Sequence, residues 1–117
     1  MKVFISQPMN GLSEVEILTV RDQVFEAFKS FMKMSDLKLV DSYFKDLPKD
    51  AGNIWCLGDS IRLMDGCDFI IFVPGWDDAR GCRIEHEVAK QYGLNIYYMF
   101  YDENFDDTLI PRFLHSL

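Results

Sequence analysis

Two hydrophobic periods alternate along this chain. Lys2 to Ser6 is a short β-prone run bounded by Gln7-Pro8 and reads as a first strand. Met9 to Leu12 reads as a turn. Ser13 stands before Glu14 and Glu16, an N-cap with a glutamate three residues on. Ile17, Val20, Val24, Phe28 and Phe31 then share one helical face, predicting a long first helix that ends near Met34. Leu37 to Val40 is a brief second strand. Asp41 to Gly52 is polar, holds Pro48 and Gly52, and reads as loop. Ile54, Leu57, Ile61 and Met64 return to helical spacing and predict a second helix. From Asp68 to Val73 the chain is almost continuously apolar, as suits a strand covered on both faces, and Pro74-Gly75 ends it. A third helix is expected from about Gly81 to Tyr92, with Gly93 as its terminator. Asn95 to Tyr101 is the fourth strand. In the tail, Pro111 followed by Phe113-Leu114 suggests a last helical turn.

Alternation of strand and helix argues for an open parallel sheet with helices on both faces. In such sheets ligands bind beyond the carboxyl ends of the strands, where the strand order switches. Two loops leave the carboxyl ends of candidate central strands: Gln7 to Leu12 after the first and Pro74 to Arg80 after the third.

Composition narrows the function classes. The 117 residues form one domain, 1–117, and 49% hydrophobic content is enough for a core. The net charge of −7 and a pI near 4.6 disfavour a nucleic acid polymer as partner, although local donors can still hold a small anion. No apolar run is long enough to span a membrane, and the first residues read as a strand rather than a leader. Three cysteines without a CxxC pair indicate neither a disulfide framework nor a zinc site, so a reducing cytoplasm is expected and no metal or cofactor is called for.

Candidate chemistry concentrates between Pro74 and Glu85. The core face of the third helix is expected to run through Ile84, Val88 and Tyr92, with Arg83, Glu87 and Lys90 in solvent. Glu85 lies beside that stripe in the first turn. It either points into the crevice as an active carboxylate or merely complements the helix dipole. Gly75 and Gly81 permit close backbone approach. Trp76 offers a flat face to a base or sugar, or covers the core. Asp77 and Asp78 suit ligand hydroxyls or turn capping, and Arg80 suits an anion or an aspartate. Two carboxylates in different surroundings make a usable reactive set. In the first loop, Ser6, Gln7, Pro8, Met9 and Gly11 line a strand end without the GxGxxG fingerprint. Asp68 either caps the start of its strand or reaches the site, and its position favours the cap. The sequence around His86 is not HExxH, and Cys67 and Cys82 read as small buried hydrophobes.

Three blocks, KVFISQPMNGL, DGCDFIIFVPGW and ARGCRIEHEVAKQYGLNIYY, together resemble the nucleoside 2-deoxyribosyltransferase-like superfamily, most closely its DUF4406 branch. The resemblance implies a flavodoxin-like (Rossmann-like) three-layer α/β sandwich with a four- to five-stranded parallel sheet, assembled as a homodimer or higher homo-oligomer. It implies cleavage or exchange of the N-glycosidic bond of a nucleoside or nucleotide, with Glu85 as nucleophile on the anomeric carbon. It further gives Asp68 a role at the base, Asp78 a role at the sugar, and Gln7-Pro8 the place of the family's first-loop turn. The departures are Phe4 where many transferases carry tyrosine, Gln7 for glycine, Ala79 at the aligned acidic position, and Arg80 for a small residue. Arg80 favours a phosphorylated ligand and, with it, a nucleotide N-hydrolase.

Two functions therefore stand as expectations: an N-glycosidase or deoxyribosyltransferase, and a non-catalytic module that holds a nucleotide-derived ligand as sensor or sponge. A scaffold with a vestigial crevice is a third. The late aromatic residues Tyr97, Tyr98, Phe100, Tyr101, Phe105 and Phe113 are read as either core or subunit interface.

Overall fold

The computed structural model describes residues 1–43 and 52–116, so most of the expected loop between Asp41 and Gly52 lies outside the described residues. The elements are β1 (Lys2–Ser6), α1 (Glu14–Met32), β2 (Lys38–Leu39), α2 (Asn53–Met64), β3 (Phe69–Phe72), a 3-10 turn (Trp76–Asp78), α3 (Arg80–Gln91), β4 (Ile96–Glu103) and β5 (Leu109–His115). They build an α/β protein around one five-stranded sheet of order β2-β1-β3-β4-β5.

The start of α1 follows the sequence rule. The Ser13 hydroxyl accepts the Glu16 amide at 3.2 Å while the Glu16 carboxylate accepts the Ser13 amide at 3.4 Å, which satisfies two orphan donors of the first turn. Lys33, in the left-handed region at φ 55°, closes the helix just before the expected end.

β3 is buried along its whole length because both its faces are covered. Alternation sorts the strand residues between two clusters. Val3, Ile5, Phe69, Ile71, Val73, Tyr97 and Met99 pack with Val24 and Phe28 of α1. Phe4, Ile70, Phe72 and Ile96 pack with Met64 of α2 and Ala89 of α3. Phe28 is the hub of the first cluster. It meets Phe69, Tyr97 and Phe113 edge-on with ring centroids 5.1–5.4 Å apart.

The sheet is mixed rather than wholly parallel. β1, β2, β3 and β4 run parallel, but the tail, expected as a helical turn, is β5, antiparallel to β4 from Tyr97 opposite His115 to Glu103 opposite Leu109. Asn104 to Thr108 turn the chain through an Asn104 amide bond to the Thr108 carbonyl and a left-handed Asp107 at φ 64°. Pro111 is compatible with this because an edge strand leaves half its amides without a ladder partner. Phe113 faces inward onto Phe28, whereas Phe100, Tyr101 and Phe105 are exposed. Among the described residues no helix is long and apolar enough to cross a membrane.

Phe28→Ala is expected to destabilise the fold by about 3–5 kcal/mol, because the ring is completely buried at the centre of the aromatic cluster. Phe31→Ala, at a half-exposed ring, is expected to cost less. Urea denaturation of the two variants side by side checks the ranking.

Candidate functional site

The strand order reverses between β1 and β3. The connection from β1 leads into α1 on one face, and the connection from β3 leads into α3 on the other, the arrangement at whose carboxyl ends open α/β sheets take their ligands. Ser6, opposite Phe72 in the ladder, is the last residue of β1. Successive residues of a strand point to opposite faces, so Ser6 and Gln7 serve different helices. On the α3 side, the Ser6 hydroxyl donates to Glu85 Oε1 at 2.7 Å. On the α1 side, Gln7 Oε1 accepts from Arg21 Nε at 2.9 Å, and Gln7 Nε2 donates to the Ile17 carbonyl at 3.1 Å.

Glu85 is 7% exposed. The buried face of α3 is Cys82, Glu85 and Ala89, spaced three and four residues apart. This corrects the expected stripe: Ile84 is 39% exposed and Tyr92 80% exposed. α3 turns its small side chains and its carboxylate to the sheet, leaves Val88 half-buried, and turns Ile84 and Tyr92 outward. Gly81 approaches α2, where a Cβ would meet Leu57 Cδ1 at 4.0 Å. Arg83, Glu87 and Lys90 are exposed, as their spacing predicts.

Burial raises the Glu85 pKa from the ordinary glutamate value, against the hydroxyls of Ser6 and Ser60 and the positive charge of Arg21, which favour the anion. Burial likewise lowers Arg21 from its usual value, offset by Asp41 and Glu85. Burial pushes the Cys82 thiol, beside Ser6, up to about 11, so it is protonated at neutral pH and is no nucleophile. An open hollow of about 250 Å³ lies on the α1 side, lined by Leu18, Arg21, Asp22, Leu39 and Asp41.

Of the residues singled out in the sequence, Ser6, Gln7 and Glu85 converge. The two loops also meet: Gly75, at φ 91°, sits where a Cβ would touch Pro8 Cγ at 3.4 Å. Only a glycine adopts that φ freely at the start of the 3-10 turn. Met9 and Gly11 form an exposed turn, with the Leu12 amide bonded to the Met9 carbonyl. Trp76 stacks on His86 with centroids 4.2 Å apart and packs against Phe72 and Tyr98, while the His86 Nε2 and the Tyr98 hydroxyl are 2.5 Å apart. Burial lowers the pKa of His86. Asp78 and Arg80 are exposed at the start of α3. Asp68 is not brought to Glu85. Its carboxylate accepts the Lys2 amide at 2.7 Å at the opposite end of β1, about 13 Å along the strand from Ser6.

Arg21 and Ser60 were not singled out, although a signal existed. Arg21 follows Ile17 by four residues and precedes Val24 by three, a cation inside the apolar stripe of α1. Ser60 precedes Met64 by four, a hydroxyl in the stripe of α2. Among the described residues no cluster of His, Cys, Asp and Glu is arranged to hold a metal ion.

Residues 1–98 match the family model described as Domain of unknown function (DUF4406), and the chain belongs to that family. No curated protein matches it.

A carboxyl whose folded-state pKa exceeds its unfolded value leaves the fold at its most stable when protonated in both states, and costs stability as pH rises through the folded pKa. Glu85 has this sign. The difference in Tm between Glu85→Gln and the wild type is therefore expected to move in favour of the glutamine as pH rises from below 4.5 to neutral. Calorimetric melts across that range check it, and a pH-independent difference would contradict it.

Proposed function

We propose that this DUF4406 chain cleaves or transfers the N-glycosidic bond of a nucleoside or nucleoside 5′-monophosphate, with Glu85 as the nucleophile. The observation that carries this reading is a carboxylate held by a strand-end hydroxyl at 2.7 Å, buried at the switch in strand order where α/β sheets take their ligands. The layering of α1 against one face and α2 with α3 against the other fits the flavodoxin-like sandwich of the superfamily that the three sequence blocks resemble.

In this reaction a Glu85 oxygen bonds to the anomeric carbon as the carbon–nitrogen bond breaks, and the base leaves with the bonding pair and acquires a proton. The positive charge that builds on the sugar is met by the carboxylate. Water then displaces the glutamate from the sugar in a hydrolase, and a second base does so in a transferase. The Ser6 and Ser60 hydroxyls orient the carboxylate. Arg80 and Asp78, at the exposed mouth of the third loop, are suited to the phosphate and the sugar hydroxyls of a nucleotide.

A second reading is favoured by one feature. The partner carboxylate that such chemistry uses does not stand beside Glu85, because Asp68 is engaged at the far end of β1 and Asp78 is in solvent. A non-catalytic module that holds a nucleotide-derived ligand as sensor or sponge needs no such partner. The exposed aromatics of the β4–β5 hairpin belong, in the same proposal, to a homodimer interface, which a monomeric mass in light scattering would remove.

Chromatographic screening of nucleosides and 5′-monophosphates for released base tests the enzyme. Glu85→Ala is expected to reduce base release at least roughly a thousandfold. Ser6→Ala is expected to reduce it about tenfold, the loss of one hydrogen bond to a charged group. No release from any substrate, together with calorimetric binding of an unaltered nucleotide that survives Glu85→Gln, is the outcome expected of the binding module.

A further inference from the structure

Arg21 is a cation on the apolar face of α1, 3% exposed, and among the described residues its side chain makes one hydrogen bond. Its Nε donates to Gln7. Among the described residues its two terminal nitrogens have no hydrogen-bond partner, although both are shut away from solvent. Desolvating a guanidinium and then leaving four N–H groups unused costs stability that an apolar residue at this point of the stripe would not. Gln7 is itself buried and anchored by the Ile17 carbonyl, so the guanidinium is pinned rather than free to find solvent.

The arrangement gains its sense from Glu85. Ser6 touches Glu85 and its sequence neighbour Gln7 touches Arg21, so adjacent residues at the end of β1 hold the two charges on opposite faces of the sheet. No direct ion pair joins them among the described residues, yet each bears electrostatically on the other. A direct bidentate pair would occupy the carboxylate and keep it from an electrophile. A fixed charge at a distance stabilises the anion through the low-dielectric interior and leaves it unclaimed.

We propose that Arg21 is a positioning residue: pinned by Gln7 across the end of β1, its guanidinium supplies the through-space charge that holds the buried Glu85 as a carboxylate available for reaction. That deepening rests on the reading of Glu85 as nucleophile, but the charge coupling itself is measurable without any substrate. The charged and titratable groups that bear on Glu85 are Arg21 from α1, Cys82 from its own helix, and Asp41, beyond β2, which draws on the same guanidinium. β1 and α2 contribute the hydroxyls of Ser6 and Ser60.

The experiment is a pH titration of the Glu85 side-chain carboxyl by carbon-13 NMR, assigned by the signal missing from Glu85→Gln. It is run on the wild type, Arg21→Met, Arg21→Lys and Asp41→Asn. Arg21→Met is expected to move the Glu85 midpoint upward, and Arg21→Lys to return it toward the wild-type value. Asp41→Asn, at an exposed position, is expected to move it downward. A Glu85 midpoint unmoved in a folded Arg21→Met variant overturns the proposal. Should Arg21→Met fail to fold, an Asp41→Asn midpoint that stays put or rises overturns it instead. Where base release is found, the acid limb of its pH profile is expected to shift with the NMR midpoint in each variant. Shifted midpoints without base release from any substrate sink the glycosidase reading alone, and base release with a flat titration sinks the role of Arg21 alone.

Discussion

A carboxylate removed from water must be given back, by the protein, the donors and the charge that water supplied. Glu85 sits on a helix packed to a sheet, and what it needs comes from three other elements: a hydroxyl from the end of β1, a hydroxyl from α2, and a guanidinium charge from α1. These hydroxyls and this charge only partly offset the burial, and the carboxyl remains easier to protonate than in water. The relative placement of β1, α1, α2 and α3 is tied to this one group. In the observed packing Ser6, Ser60 and Arg21 all bear on the same anion.

The end of β1 is where this is arranged. A strand that finishes in two consecutive polar residues presents one to each layer, so Ser6-Gln7 is a clasp between α3 and α1 as well as a strand terminus. It is followed at once by Pro8, which rests against Gly75 and so ties the first loop to the third. The loops on either side of the crevice are thereby registered by contacts made of a single tripeptide, Ser6-Gln7-Pro8, and a glycine that cannot be replaced without strain.

Much of this was legible. The alternating periods match the order of the strands and α-helices from β1 to β4, and the capping box at Ser13 and the doubly covered strand at β3 behave as their residues dictate. The switch in strand order between β1 and β3 is the topology that the alternation implies. What escaped had physical reasons. Reading α3 by hydrophobicity places Ile84 and Tyr92 inward, but a helix that lies close to a sheet buries small residues instead, here with the Glu85 carboxylate held by the strand-end hydroxyl. Pro111 with the short apolar run Phe113-Leu114 suggests a helical turn, whereas at the edge of a sheet the proline is tolerated and the inward Phe113 decides the strand. Arg21 was passed over because a stripe is read by the residues that fit it, and the residue that does not fit was the informative one. Asp68 shows the converse, since its place before the strand already favoured the cap that the Lys2 amide provides.

The Cys82 thiol, one turn before Glu85, carries a consequence for the site's chemical durability. With its pKa near 11, only roughly one part in ten thousand is thiolate at pH 7, and oxidants and electrophiles attack thiolates. A sulfur lodged against Ser6 could otherwise be converted to a bulky sulfenic or sulfinic acid that would wedge the hydroxyl away from the carboxylate. The same dry packing that makes Glu85 costly to ionise thus keeps its sulfur neighbour a neutral thiol, weakly reactive toward oxidants and electrophiles.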